Sequence, residues 1–151
     1  LTWEDPPSIP TPYDDRFYLG RDDKGNLKEK SLTDVNVVDI DGKALIDPDT
    51  GKQMVDLGLK SVWIAKTKEK TNNLLARTDW MVVRKSEKGT AIPTATATYR
   101  DKVRTACDTI ETKINNCSNL TEFKALFDNP LDKDGKPTLE NAPIFDFPSE
   151  E

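Results

Sequence analysis

The sequence predicts an α+β protein, with a small N-terminal β-meander and a C-terminal antiparallel helical hairpin that a short third helix caps. Two observations indicate this class. Short apolar segments alternate with turns rich in Asp and Gly over residues 16–57, and apolar residues recur at helical spacing within the segment 58–128. Extended arms are expected at both ends, a Pro-rich one over residues 1–15 and an acidic one over residues 129–151.

The composition of the chain excludes several classes of function. Its 151 residues include no histidine, which removes imidazole acid–base catalysis and His-type metal sites. The net charge of −5 argues against binding to nucleic acid. The hydrophobic fraction of 35% predicts a small core, and no apolar run approaches the roughly 20 residues of a membrane span. We therefore expect a protein that is not an enzyme, needs no cofactor and contacts neither nucleic acid nor membrane.

The N-terminal part combines an arm with short strands. Four prolines within residues 1–15 favour an extended arm. Beyond it, short apolar segments flank turn clusters at residues 21–26, 41–42 and 47–51, which is typical of antiparallel strands. Strands with so few apolar residues do not form an independently stable sheet. We expect a helix or a partner to cover them.

Two helices are predicted after the strands. The first covers residues 59–78. The second carries an apolar seam with spacings of three and four residues, formed by Ala95, Tyr99, Val103, Ala106, Ile110, Ile114 and Cys117. Residues 79–92 between them are predicted as a folded loop with an apolar patch at residues 80–83, which completes an αα-hairpin.

A third, short helix is predicted over residues 120–127. Asn119 is suited to cap its N-terminus, and Glu122 three positions later completes a capping box. Cys107 and Cys117 lie ten residues apart on the second helix, about 15 Å along its axis, so they cannot pair with each other. Two free thiols favour a reducing environment.

The C-terminal tail is strongly acidic. Residues 128–151 contain seven acidic and two basic residues, a net charge of −5. We expect such a tail to be disordered or bound in extended form to something basic, with Phe145 and Phe147 as its anchors.

No segment of the sequence has the pattern of a catalytic or metal site. Asp39-x-Asp41-Gly42 and two similar segments, starting at Asp47 and Asp132, resemble the start of a calcium loop but lack its later ligands. We interpret all three as turns. We identify neither a Gly-rich phosphate loop nor a nucleophile elbow.

Several aromatic and basic residues are candidate partner contacts. Trp80 and Tyr99 fit either the core of the hairpin or an exposed contact, because these residue types dominate both small cores and interfaces. Arg100 and Arg104, four residues apart on one helix, fit either a clamp for a partner's carboxylate or a solvated helix face. The six candidate partner-binding residues are Trp80, Tyr99, Arg100, Arg104, Phe145 and Phe147.

The same region carries a family resemblance. The order Leu74-Leu75-Ala76-x-Thr78-Asp79-Trp80, then Pro93, then Tyr99-Arg100 and Arg104, resembles the tail assembly chaperone family of tailed bacteriophages, which overlaps with tail fibre assembly proteins. The resemblance covers about 60 of the 151 residues and does not extend to residues 1–57. Two departures are Thr71, where the family often has a basic residue, and Phe147, where a Trp-Pro ending is more usual.

The resemblance implies a non-enzymatic phage protein that binds other tail proteins, such as tail fibre, baseplate or tube subunits. It would be located in the virion tail, or in the host cytoplasm during assembly, and an oligomer within a symmetric assembly is compatible with it. Two roles stay open: a transient tail assembly chaperone, and a permanent tail, baseplate or tail-fibre adaptor component. The extended arms favour the permanent role, because a lasting complex offsets the entropy of ordering them.

Overall fold

A computed structural model describes Trp3 and residues 11–150 of the chain. Most of the arm expected over residues 1–15 therefore lies outside the described residues, although the Trp3 side chain is exposed. The described chain divides into two compact units between Lys30 and Ser31. Strands precede helices along the chain, so the predicted α+β class is confirmed.

The first unit is a β-hairpin. Strand β1 (Tyr18–Arg21) pairs antiparallel with β2 (Leu27–Glu29), and the register shifts within β1. The carboxylate of Asp22 accepts the backbone N–H groups of Lys24 and Asn26, which holds the turn in the form expected for this residue pattern.

The second unit begins with another hairpin. Strand β3 (Val35–Asn36) pairs antiparallel with β4 (Val55–Asp56). Between them, three backbone hydrogen bonds close a triangle: Val37 N–H donates to Met54 O (2.9 Å), Met54 N–H to Leu45 O (2.8 Å), and Leu45 N–H to Val37 O (3.0 Å). The predicted strands and turns are confirmed, in the form of two separate two-stranded sheets.

The first helix, α1 (Leu59–Ala76), is joined to this hairpin at its N-terminus. The N–H groups of Leu59 and Lys60 donate to backbone carbonyls of residues 31 and 32, at 2.9 and 3.0 Å. The Asp34 carboxylate accepts the Gly58 N–H at 2.8 Å. Hydrogen bonds from Ser61 and from Gly58 lower the pKa of Asp34. The first two N–H groups of the helix and that of its cap residue are thereby satisfied by the segment that precedes it.

The core lies between α1 and α3 (Thr94–Asn115), which pack against each other. The seam predicted on α3 is confirmed in its C-terminal part, because Val103, Ile110, Ile114 and Cys117 are buried. Ala95 is exposed, and Tyr99 and Ala106 are half-buried. Cys107 and Cys117 are free thiols, as expected, and burial raises the pKa of both.

The expectation of a loop over residues 79–92 was wrong. Residues Asp79–Lys88 form a helix, α2. It begins two residues after Arg77, which is the C-cap residue of α1. Asp79 in the first turn and Lys85 and Lys88 in the last turn complement the helix dipole. Gly89 then ends the helix in the left-handed conformation, with a φ of 71°.

The predicted third helix is confirmed as α4 (Leu120–Ala125), two residues shorter than expected. The Asn119 side chain accepts the Glu122 N–H at 2.9 Å, and the Glu122 carboxylate accepts the Ser118 N–H at 2.6 Å. Phe123 on this helix is fully buried. In the part of the chain that the structure describes, none of the helices has the length and apolarity to cross a bilayer.

The acidic tail packs back onto the helices, in contrast to the expectation of a disordered or partner-bound segment. A 3-10 helix (Pro143–Phe145) places Ile144 in the core with 3% exposure, and the Ile144 N–H donates to Leu126 O at 3.0 Å. The Phe145 ring contacts the rings of Trp63 and Phe127 edge-on. Burial of these apolar side chains orders a segment whose net charge alone suggested disorder.

Candidate partner-binding site

The motif residues converge on the side chain of Arg100. Its Nη1 atom donates to the Leu75 carbonyl at 2.8 Å and to the Thr78 hydroxyl at 2.7 Å. Its Nη2 atom donates to an Asp79 carboxylate oxygen at 2.9 Å. The Arg100 side chain is 8% exposed. We call this set of four residues the Arg100 junction.

The Arg100 junction fixes the point at which α1, α2 and α3 meet. Arg100, near the start of α3, places a cation at the C-terminal carbonyls of α1, where the helix dipole favours positive charge. Asp79 places an anion at the start of α2, where the dipole favours negative charge. At the other end of the hairpin, the Lys60 Nζ donates to Asn115 O at 2.9 Å and satisfies the end of α3 in the same way.

Trp80 lies in the first turn of α2, next to the Arg100 junction. Its side chain is 54% exposed, so the interpretation of Trp80 as hairpin core was wrong. Val83 is 53% exposed, and the Arg84 guanidinium lies 4.8 Å from the centre of the Trp80 ring. These three side chains, at positions i, i+3 and i+4, share one side of the helix, which we call the α2 face.

Trp80 and Val83 of the α2 face are exposed, whereas Arg84 is half-buried. The structure buries none of the ten residues of α2 against other described residues. A helix of this length is marginal in water without packing. The hydrogen bonds of the Arg100 junction thus hold α2 in place at one end, while its apolar side chains remain accessible.

The structure does not bring the six candidate residues into one surface. Arg100 is internal, whereas Arg104 is exposed and pairs with Asp101 at 3.2 Å, so the two do not form a clamp. Tyr99 is half-buried on α3. Phe145 (49% exposed) and the half-buried Phe147 line a shallow cavity of about 440 Å³ on α1, together with Trp63.

A second feature near the Arg100 junction had no local signal in the sequence. A cleft of about 700 Å³ lies between the end of α1, the first turns of α3 and the last described residues of the tail. Its polar lining includes Arg77, Thr94, Thr98, Tyr99, Lys102 and Glu150. Arg77 and Glu150 are far apart in sequence, so this cleft could not be found from motif spacing.

The acidic turns use their carboxylates for backbone hydrogen bonds. Asp39, Asp47 and Asp132 each accept the N–H of the residue two positions later, at 2.8 to 2.9 Å. These bonds confirm the turn interpretation, and the bond from Asp49 is the main cause that lowers the pKa of Asp47. Among the described residues, no three potential ligands gather around a metal-sized site.

Comparisons of this chain with protein-family models, curated proteins and solved structures gave no match. The function is therefore inferred from the geometry of the site and from the motif. The structure gives the motif residues Leu75, Thr78, Asp79 and Arg100 one physical role, because together they form the Arg100 junction. Trp80, the next motif residue, lies on the helix that this junction positions.

Proposed function

We propose that this chain is a non-enzymatic bacteriophage tail protein that acts through protein–protein contacts. In this proposal it is a component of the virion tail or baseplate, or a tail-fibre adaptor, and other tail proteins are its partners. The observation that carries the proposal is the α2 face, which exposes Trp80 and Val83 on a helix held at its base by the Arg100 junction.

The α2 face has the composition of an interface anchor. Trp and Arg are the residue types most enriched among side chains that dominate binding energy. Arg84 stacks on the Trp80 ring and holds it in one orientation, which lowers the entropy lost when a partner covers it. A partner that covers the apolar side chains of α2 removes their surface from water, which contributes favourably to the free energy of binding. This supports a docking role.

A transient assembly chaperone, absent from the mature virion, is the second candidate. The C-terminal tail of the chain favours this role. In a lasting complex such a tail could extend over a neighbouring subunit, but here it packs on the chain's own helices through Ile144. The α2 face is also small, with three side chains, and small interfaces are typical of transient contacts.

Mass spectrometry of purified phage particles separates the two candidates. A permanent component is expected in a fixed stoichiometric ratio to the other tail proteins. A chaperone is expected in infected cells, bound to a tail protein, and absent from particles. If the chain is absent from particles and is bound to no phage tail protein in infected cells, both candidates are contradicted.

A further inference from the structure

The last described residue of the tail, Glu150, lies in the cleft at the end of α1. Its Oε1 atom is 3.0 Å from Arg77 Nη1, and the two side chains are 49% and 60% exposed. An ion pair with this exposure is weak, because water solvates both partners and salt screens their attraction. The tail is anchored in the core upstream, at Ile144, whereas Ser149 and Glu150, which line the cleft, are exposed and make no part of that core.

The tail leaves part of the polar lining of the cleft unused. The Tyr99 hydroxyl is buried and has no hydrogen-bond partner among the described residues. Burial raises the pKa of Tyr99, and the nearby Glu150 carboxylate raises it further, so the hydroxyl keeps its proton. A buried donor without an acceptor is costly, and a ligand that supplies the acceptor recovers that cost.

The charges of the cleft indicate the chemistry of such a ligand. Arg77 and Lys102 are cationic, while Glu150 is the one anionic side chain among the described residues that line the cleft. Hydroxyl groups of Thr94 and Thr98 lie at the start of α3, beside them. Cations and hydroxyl donors together recognise carboxylates, and the chain's own Glu150 already occupies part of the cleft as a carboxylate.

We propose that this cleft binds an acidic peptide segment of a partner protein, in exchange for the chain's own residues 149–150. One carboxylate of the partner replaces Glu150 as the ion-pair partner of Arg77, and others reach Lys102. The Tyr99 hydroxyl donates a hydrogen bond to a carboxylate of the partner. The attached tail competes at a high effective concentration, which lowers the apparent affinity for any ligand in solution. Removal of the Glu150 charge should therefore strengthen binding.

A labelled hexapeptide with the sequence of residues 146–151 is a suitable probe, because it carries the Glu150 carboxylate that the cleft already accepts. Fluorescence anisotropy measures its binding to the full chain. Glu150→Gln is expected to tighten binding by about three- to tenfold, since it weakens the internal competitor. Tyr99→Phe, which removes the hydroxyl alone, is expected to weaken binding by about three- to tenfold. Arg77→Gln, which removes an exposed cation, should weaken it by about two- to fivefold.

Matched controls separate the cleft from general electrostatics. Glu140→Gln changes the charge of the tail equally at an exposed position that does not line the cleft, and Tyr13→Phe removes an exposed hydroxyl outside it. Neither should alter the affinity for the peptide. Circular dichroism melts of all variants confirm that each is folded.

Equal affinities for Glu150→Gln and Glu140→Gln, or a Tyr99→Phe variant that binds as well as the parent chain, would overturn the proposal. Dimers of the Glu150→Gln variant that depend on Arg77 would also overturn it, because the occupant of the cleft would then be a second copy of this chain. The proposal does not depend on the proposed role in a phage tail. The peptide assay measures binding to the cleft and does not involve the α2 face.

Discussion

Replacement of Arg100 by Ala removes the side chain that joins three helices. The substitution leaves the Leu75 carbonyl and the Thr78 hydroxyl without their charged donor. It also separates Asp79 from its ion-pair partner. We expect a large loss of stability, because Arg100 is buried and its hydrogen bonds are internal.

The magnitude follows from the three acceptors. Hydrogen bonds to a charged donor contribute at least about 1.5 kcal/mol each, so the bonds to Leu75 and Thr78 contribute about 3 kcal/mol. The Asp79 side chain is 58% exposed, and screening by water limits its ion pair to about 0.5 kcal/mol. A loss of about 3.5 kcal/mol lowers the Tm of a domain of this size by about 7–14 °C.

Urea unfolding followed by circular dichroism measures this loss. Arg104→Ala is the matched control, because Arg104 lies one turn further along α3, is exposed and makes one ion pair with Asp101. It should lower the free energy of unfolding by less than about 0.5 kcal/mol. Equal effects of the two substitutions would refute the assignment of Arg100 to a structural junction.

Two further substitutions test how the sheet and the tail are joined to the helices. Gly58→Ala should destabilise the chain by about 1–3 kcal/mol in urea unfolding, because a Cβ atom at position 58 would lie 2.4 Å from the Thr33 carbonyl carbon; an unchanged midpoint would contradict this close approach. Ile144→Ala should cost about 2–4 kcal/mol and lower the Tm, whereas Leu139→Ala, at a fully exposed tail position, should not. If both tail variants melt like the parent chain, the tail does not contribute to the core.

The sequence was informative where the determinants of structure are local. The seam of α3 follows from spacings of three and four residues, and the cap of α4 follows from Asn119 and Glu122 alone. The turns at Asp39 and Asp47 could be predicted for the same reason, because the carboxylate bonds the backbone of its own turn.

The remaining features depend on contacts between distant residues. The apolar residues of helix α2 occupy four consecutive positions, 80–83, and none of its residues is fully buried among the described residues, so no series of three- and four-residue spacings marks it in the sequence. Arg100 belongs to no apolar seam, and its burial follows from acceptors more than twenty residues away. The tail was misjudged because its net charge outweighed the short apolar segment that anchors it, with Ala142 and Ile144 buried and Phe145 packed against Trp63 and Phe127.

The docking role of the α2 face is tested most directly by site-specific photo-crosslinking in infected cells. A photoreactive residue at position 83 should crosslink to one phage tail protein, identified by mass spectrometry, and Trp80→Ala should abolish that crosslink. Because Trp80 is 54% exposed, this substitution should lower the free energy of unfolding by less than about 1 kcal/mol. A photoreactive residue at the exposed position 139 is the control. The same product from position 139, no tail protein at position 83, or a crosslink that survives Trp80→Ala would contradict the assignment.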